Sequence, residues 1–335
     1  MGPIRKRVTV KNICAMLKYF RLVRFKNLLI IAATMVLVRY MLIQTILSGY
    51  GLELQMPIWY FVALVLATML VAAGGYVIND YFDTKADLIN RPETVVVGKQ
   101  VTRRGAIAFH LVLSILGIFL GTVVSFRVGR PVFSLLFFLT AGVLWFYSTT
   151  YKRQLFVGNL VVAFLTAMVP LIPLIFEFPL LGTFSDVIFI YQLNMKVIVY
   201  WVGGYAFFAF MLTLAREIIK DIEDFEGDTS LGRNTIPVHF GVKTSKLIIA
   251  TVLSLTLIAL LVAFSAYLFK LSVKPFDYVS LVYLVIFIVI PIFILIFSVL
   301  LASSKKDYHK ASSLCKIIML LGLIYTLIFR FIVNL

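Results

Sequence analysis

The sequence predicts an all-α integral membrane protein in which nine transmembrane helices surround a central cavity. Of its 335 residues, 62% are hydrophobic and only 14% are charged, and the mean hydropathy is +1.04. Soluble domains are close to half apolar and a quarter charged. A formal net charge of +16 would suggest a nucleic-acid partner in a soluble protein, but here the charges sort between loops as in a membrane protein. We therefore expect no nucleic acid as a partner.

Each predicted helix corresponds to an apolar run of about 20 residues, the length that crosses the hydrocarbon core. The runs are 28–48, 58–79, 105–126, 131–149, 157–177, 197–215, 246–269, 278–302 and 314–333. The first run lacks a small-residue cleavage site, so we expect a retained helix. Residues 28–335 are predicted to form one transmembrane domain, because no polar stretch is long enough for a soluble one.

The distribution of Lys and Arg residues predicts the orientation of the protein in the membrane. The amino-terminal segment and the loops after the even-numbered runs hold 24 of the 31. The positive-inside rule then places the amino terminus in the cytoplasm and the carboxyl terminus outside a cell inner or plasma membrane. Residues 1–27 are predicted to form an amphipathic segment in the cytoplasmic interface. Arg39 lies within the first run, where an ionisable residue is a functional hypothesis, but we favour its long side chain reaching the outer interface.

Three aspartates close the second apolar run, in the sequence NDYFDTKAD at 79–87. On a helix, Asp80, Asp83 and Asp87 project from one face. Carboxylates this close repel one another unless a cation lies among them, and Mg²⁺ binds oxygen ligands together with substrate phosphates. The motif and its Asn79 therefore suggest a metal and phosphate site at a cytoplasmic helix end, and the alternative is a solvated, acidic helix end.

Basic residues are expected beside this motif. Asn90 and Pro92 should end the helix, which puts Arg91 and Lys99 on a loop next to the aspartates. Carboxylates for Mg²⁺ and cations for the remaining phosphate oxygens are what a metal-bridged diphosphate requires. The alternative is ordinary positive-inside charge.

Further candidate substrate contacts stand at the cytoplasmic ends of the first and fourth runs. Arg24 and Asn27 lie where the first run begins. Tyr147, Lys152 and Arg153 follow the fourth run and can reach a phosphate, although an interfacial aromatic belt explains the ring equally well.

A second acidic stretch, REIIKDIEDFEGD at 216–228, follows the sixth run. Asp221, Asp224 and Asp228 repeat the spacing of the first motif, and a glycine and a lysine follow each motif. This pattern predicts an internal repeat offset by four helices, with the two acidic faces meeting at the central cavity. The repetition makes a merely solvated surface the weaker interpretation.

Histidine and cysteine residues suggest no further site. His110, His239 and His309 do not cluster with one another or with cysteine, so a zinc site is unsupported. We expect His110 to be buried and hydrogen-bonded. Cys14 and Cys315 form no disulfide framework.

Both motifs resemble those of the UbiA superfamily of intramembrane prenyltransferases. The resemblance rests on the NDxxDxxxD pattern that begins at Asn79, on the DxxDxxxD pattern that begins at Asp221, and on nine spans with an inside amino terminus. It covers nearly the whole chain. Within the family, the segments around INRP and REIIKDIEDFEGD look most like the digeranylgeranylglyceryl phosphate synthase group.

The resemblance implies Mg²⁺-dependent prenyl transfer from a polyprenyl diphosphate, with geranylgeranyl diphosphate favoured, to a lipophilic acceptor, with geranylgeranylglyceryl phosphate favoured. It implies these roles: catalysis by Asp80, Asp83, Asp221 and Asp224; metal binding by these four with Asp87 and Asp228; substrate binding by Asn27, Asn79, Arg91, Lys99, Tyr147, Lys152 and Arg153. Rings such as Tyr76, Tyr147 and Tyr205 would stabilise an allylic cation. The bilayer is the only other partner expected, since no obligate protein partner is implied.

Other functions stay open at this point. Within the class, the acceptor can be an aromatic precursor of a quinone, whereas a haem farnesyltransferase is disfavoured because no suitable histidine pair is present. Outside the class, a secondary transporter would use intramembrane acids to bind ions, but these acids lie at helix ends and not at mid-membrane. A lipid-binding scaffold without chemistry is the last alternative.

Overall fold

The computed structural model describes residues 17–182, 195–270 and 277–333, and in these ranges the chain is helical apart from turns and one isolated bridge between Val97 and Val101. In this part of the chain, nine helices are long and apolar enough to cross a membrane. We number them α1 to α9: Phe25–Ser48, Ile58–Asn90, Arg103–Arg127, Pro131–Thr149, Val157–Leu181, Met195–Glu223, Ile236–Lys270, Tyr278–Leu301 and Lys305–Val333. The all-α class is confirmed.

Several helices are longer than the apolar runs that predict them. Helix α2 continues beyond residue 79 to Asn90, α6 continues beyond residue 215 to Glu223, and α9 begins at Lys305 instead of residue 314. An apolar run marks only the part of a helix that lies in hydrocarbon, whereas the backbone hydrogen bonds of the helix can continue into water. Both acidic stretches therefore start on the polar ends of long helices.

The amphipathic segment predicted at 1–27 is described only in part. Residues 1–16, which include Cys14, lie outside the described residues. Residues 17–22 are helical, and Leu22 is fully buried in an apolar cluster that includes Val77 and Ala106.

The described residues divide into two compact units. The first comprises residues 17–33 and 56–152, with α2, α3 and α4, and its core includes Val77, Ala106 and Leu113. The second comprises residues 34–55 and 153–333 and contains α5 to α9, with a core that includes Ile218 and Leu295. Helix α1 contributes its start to the first unit and its remainder to the second.

Helices α2 and α3 approach closely at Gly117, because small residues let helix backbones come together. A Cβ at this position would lie 2.9 Å from the backbone nitrogen of Val71 and 3.0 Å from the carbonyl oxygen of Ala67. Backbone atoms cannot move aside as a flexible side chain can. We expect Gly117→Ala to lower the free energy of unfolding by about 1–3 kcal/mol.

Thermal unfolding in detergent measures this effect. Gly142→Ala is the matched control, because nothing lies within 4 Å of the methyl group it would add. Equal melting temperatures for the two variants would contradict the close approach at Gly117.

The prediction that the side chain of Arg39 reaches the outer interface is wrong. Its side chain does not reach an interface: Arg39 is 1% exposed and forms an ion pair with Glu177 of α5, which is fully buried. Nε and Nη2 of Arg39 donate to Oε2 of Glu177 at 3.3 and 3.2 Å, and the backbone N–H of Gln55 donates to the other carboxylate oxygen. An opposite charge inside the bundle offsets part of the desolvation that a buried guanidinium suffers.

Helix α1 is locally π-helical at Val38–Ile43, around this arginine. The N–H of Gln44 donates to the carbonyl of Arg39, five residues earlier. Nη1 of Arg39 donates to the hydroxyl of Tyr40 at 3.0 Å, and Nη1 of Arg330 in α9 donates to the carbonyl of Tyr40 at 3.2 Å. The π turn therefore lies where α1 is bonded to both α5 and α9 within the second unit.

His110 is buried and hydrogen-bonded, which confirms the prediction. It is 5% exposed, and its Nδ1 lies 2.9 Å from the carbonyl oxygen of Gly74. Cys315 is a buried free thiol whose Sγ donates to the carbonyl of Leu212 at 3.6 Å.

Candidate active site

The first aspartate motif lies on the last turns of α2. The helix is continuous through Asp80, Asp83 and Asp87, so the prediction that the three share a helical face is confirmed. Asp83 is 3% exposed and Asn79 is 9% exposed, whereas Asp80 and Asp87 are half-buried. The motif therefore places one deeply buried carboxylate between two that are more accessible.

Two cations from distant parts of the first unit bind these carboxylates. Nζ of Lys152, in the turn after α4, contacts Oδ2 of Asp83. Nη2 of Arg24 lies 2.8 Å from Oδ1 of Asp80. Desolvation of the Arg24 guanidinium would lower its pKa, but the charge and hydrogen bond of Asp80 together with the charge of Asp83 and the nearby Tyr76 outweigh that effect and raise the pKa above its ordinary value.

Arg24 holds an uncommon backbone conformation between helix 17–22 and α1. Its φ of 51° is in the left-handed region, which a residue with a side chain rarely adopts. The guanidinium stands over the ring of Tyr76, 5.1 Å from its centroid, and the carbonyl of Arg24 accepts from the N–H of Asn27 at 2.7 Å. Strain of this kind concentrates at functional sites. Arg24 therefore joins the site as a residue that the sequence marked only by its position.

The loop after α2 begins where it was predicted. The helix ends at Asn90, and Gly98 has a φ of 86°, a conformation that glycine adopts without strain. Lys99 stays on this loop, where its Nζ donates to the carbonyl of Pro92 at 2.7 Å. Arg91 is half-buried in the first position after the helix. The structure thus brings Lys152 onto the first motif and directs Lys99 toward its own loop.

Tyr147 and Arg153 flank the turn that carries Lys152. Tyr147 is half-buried near the end of α4. The side chain of Arg153 is exposed, while its carbonyl accepts from the N–H of Asn234 at 3.1 Å.

The second motif differs from the first because its helix is interrupted. Asp221 lies in the last turn of α6, Asp224 lies at the break, and Asp228 belongs to the short helix Phe225–Ser230. The N–H of Asp224 still donates to the carbonyl of Lys220 at 2.9 Å, and that of Asp228 donates to the carbonyl of Asp224 at 3.0 Å. These bonds keep the four-residue register of a helix, so the three aspartates retain nearly the spacing of the first motif.

Two polar residues that the sequence analysis missed bind the second motif. Nδ2 of Asn159, in α5, donates to Oδ2 of Asp221 at 2.7 Å. Nη1 of Arg233 lies 3.2 Å from Oδ1 of Asp228, and both side chains are buried. An amide within the apolar run 157–177 was the available signal for Asn159. For Arg233, the only available signal was its short separation from Asp228 in the sequence.

The carboxylates fit a metal ion that arrives with a phosphate ligand. Among the described residues, no three acidic, histidine or cysteine side chains converge as a ready-made metal site. Mg²⁺ usually takes one or two protein carboxylates and completes its shell with water and substrate phosphates. Asp83 beside Asp80, and Asp221 beside Asp224, supply such carboxylates with neighbouring cations or amides that suit phosphate oxygens.

Comparison with known proteins identifies the family. A model described as the UbiA prenyltransferase family matches residues 41–324. The chain belongs to this family. Together with the nine apolar helices of the described residues, this membership makes it an integral membrane protein.

Relatives of the UbiA family resemble the chain over most of their length. It is 32% identical to digeranylgeranylglyceryl phosphate synthase of Methanosphaera stadtmanae over 264 residues, which are 77% of this chain and 84% of the relative. A solved structure concerning digeranylgeranylglyceryl phosphate synthase in membranes matches 96% of this chain and 99% of its own, at 23% identity and a TM-score of 0.62. A UbiA homologue from Archaeoglobus fulgidus bound to GPP and Mg²⁺ matches 92% of this chain and 99% of its own, at 15% identity and a TM-score of 0.52. Both solved structures therefore share the fold of this chain.

Proposed function

We propose that this UbiA-family protein transfers a geranylgeranyl group from geranylgeranyl diphosphate to geranylgeranylglyceryl phosphate and forms an ether. The observation that carries the proposal is the pairing of Asp80 with Arg24 and of Asp83 with Lys152 at the end of α2. Adjacent carboxylates and cations are what a metal-bound diphosphate needs. The relative from Methanosphaera stadtmanae supports this choice of acceptor.

Mg²⁺, when bound, neutralises diphosphate oxygens and so stabilises the departing anion. Asp80 and Asp83 of the first motif would hold one such ion, and Asp221 and Asp224 of the second motif would hold another. Asp87 and Asp228 lie one turn further along and would support the same ions. The Archaeoglobus fulgidus homologue, whose structure is bound to GPP and Mg²⁺, supports the choice of metal.

The chain's own cations would bind the diphosphate. Lys152 and Arg24 each contact a motif carboxylate, and both can donate to phosphate oxygens once those carboxylates bind the metal. Arg91, Lys99 and Arg153 are proposed to add positive charge around the same group. The uncharged polar residues proposed to contact substrate are Asn27, Asn79 and Tyr147.

The reaction breaks the allylic C–O bond, and its electron pair leaves with the diphosphate. The hydroxyl oxygen of the acceptor bonds to the allylic carbon, and its proton passes to Asp221 or Asp224 or to the released diphosphate. Tyr76 lies one turn before Asp80 on α2, and we propose that its ring helps to stabilise the developing cation. Tyr205 is unsuited to this role, since it lies sixteen residues before Asp221 on the continuous helix α6, about 24 Å away.

We also propose that the amino terminus is cytoplasmic, that the carboxyl terminus is outside, and that the site opens to the cytoplasm of a cell inner or plasma membrane. The sorting of Lys and Arg supports this orientation. In this proposal, residues 1–27 lie in the interface and residues 28–335 form the transmembrane catalytic domain.

An assay with purified protein tests the function. We expect geranylgeranyl diphosphate and geranylgeranylglyceryl phosphate to yield ether and diphosphate only with Mg²⁺, and EDTA to lower the rate by at least about a hundredfold, because the metal stabilises the leaving group by several kcal/mol. Restoring Mg²⁺ after EDTA should recover the rate.

A panel of acceptors gives the assay its alternatives. Activity undiminished by EDTA would contradict the proposed dependence on Mg²⁺. If product forms only with an aromatic quinone precursor, the proposed acceptor is wrong. If no acceptor leads to release of diphosphate, the proposed prenyltransferase activity is wrong.

A further inference from the structure

A cluster of Arg216, Glu217 and Lys220 lies on α6 just before the second motif. Nη1 of Arg216 donates to Oε1 of Glu217 at 2.7 Å. Nζ of Lys220 donates to both oxygens of the same carboxylate, at 3.1 and 3.0 Å. Glu217 is 7% exposed, and the side chains of Arg216 and Lys220 are 17% and 26% exposed. The cluster is therefore mostly removed from water.

One donor of the cluster is left unused by these contacts. The Nε of Arg216 is buried, and it has no hydrogen-bond partner within the described part of the chain. Buried polar atoms in native proteins are nearly always paired, so an unpaired N–H indicates a missing acceptor. With Nη1 on Glu217, the Nε and Nη2 edge of the guanidinium remains for a second oxyanion.

Phosphate is the acceptor that this edge suits. A guanidinium edge donates two parallel hydrogen bonds to phosphate oxygens, and a lysine adds a point charge. Glu217 binds both cations and so reduces the side-chain freedom that they lose when a ligand binds. The arrangement thus has the features of a small, prearranged phosphate site.

Its position relative to Asp221 suggests which phosphate it binds. Arg216 and Lys220 are four residues apart, as are Glu217 and Asp221, so all four lie along neighbouring rows of one helix. Arg216 precedes Asp221 by five residues, which is about 7.5 Å along the helix axis. A glyceryl phosphate separates its free hydroxyl from its phosphate by only a few bonds, so one molecule can reach both positions.

We propose that Arg216 and Lys220 bind the phosphate of the acceptor and thereby direct its hydroxyl toward the second motif. This inference rests on the proposed function and deepens it by assigning acceptor specificity. Arg216 and Lys220 act as binding residues, and Glu217 acts as a positioning residue that holds them. An acceptor without a phosphate would gain nothing from the cluster.

The test combines two acceptors with matched variants. Rates are measured with geranylgeranyl diphosphate and either geranylgeranylglyceryl phosphate or geranylgeranylglycerol, which lacks the phosphate. We expect Arg216→Gln to lower kcat/KM about 10- to 100-fold for the phosphorylated acceptor, because a charged hydrogen bond is lost, and less than about threefold for the other. The KM for geranylgeranyl diphosphate should not change, and Lys220→Gln should behave in the same way.

Controls separate binding from folding. Arg216→Lys keeps the charge and should recover part of the activity, and Lys310→Gln, at an exposed site, should match the wild type. Free glycerol phosphate should inhibit the wild type in competition with the acceptor, and Arg216→Gln should weaken that inhibition about tenfold or more. This binding readout does not require turnover of the phosphate-free acceptor.

Specific results would overturn the inference. Equal losses for both acceptors with unweakened inhibition, or a raised KM for geranylgeranyl diphosphate, would show that the cluster serves another role while the proposed function stands. If the wild type forms no ether with the phosphorylated acceptor, the proposed function fails and the inference fails with it.

Discussion

Asp83→Ala is expected to lower kcat by about a thousandfold, equivalent to about 4 kcal/mol of transition-state stabilisation. Asp83 is the most buried carboxylate of the first motif and contacts Lys152, so its loss removes a proposed metal ligand and releases the lysine from its position. Asp224→Ala should have a similar effect if both motifs hold metal. Steady-state release of diphosphate at saturating Mg²⁺ measures both.

A matched acidic control lies within the second motif. Glu226 is exposed between Asp224 and Asp228, so Glu226→Gln removes a negative charge from the same segment without removing a proposed ligand. Its kcat should stay within about twofold of the wild type, as is usual for an exposed site. Melting temperatures confirm that each variant is folded. Near-normal turnover of folded Asp83→Ala and Asp224→Ala would disprove the metal assignment.

Glu177→Ala is expected to lower the free energy of unfolding by about 3–5 kcal/mol, because it leaves the buried guanidinium of Arg39 without its counter-ion. The backbone N–H of Gln55 loses its acceptor at the same time. Thermal unfolding in detergent measures the effect. Glu53→Gln, at an exposed position in the same unit, is the control and should unfold like the wild type.

The double variant Arg39→Met, Glu177→Leu tests whether the unpaired charge causes the loss of stability in Glu177→Ala. Removing both charges leaves apolar side chains in an apolar interior, so we expect it to be more stable than Glu177→Ala. The single variants Arg39→Met and Glu177→Leu complete a double-mutant cycle, which isolates the energy of the pair. A double variant no more stable than the single one would show that the loss comes from packing and not from the unpaired charge.

The sequence predicted which residue types form the candidate site better than it predicted which side chains contact one another. The spacing of Asp80, Asp83 and Asp87 is a local property of one helix, and the structure reproduces it. Lys152 was predicted to reach a phosphate, and the structure bonds it to Asp83. Lys99 lies much nearer the motif in sequence, but it donates to its own loop. Periodicity cannot distinguish these two lysines, because the direction of a loop side chain depends on what packs around it.

The membrane class, the nine helices and the two acidic motifs were determined by the sequence alone. These features depend on the length of apolar runs and on spacings within a single helix, and both are local. Only the tertiary structure decided the partners of the charged residues. Arg24 and Asp80 are 56 positions apart, Lys152 and Asp83 are 69 apart, and Arg39 and Glu177 are 138 apart. Such pairs form because helix packing brings distant charges together where water solvates them only in part or, for Arg39 and Glu177, not at all, and no local pattern records which charges will meet.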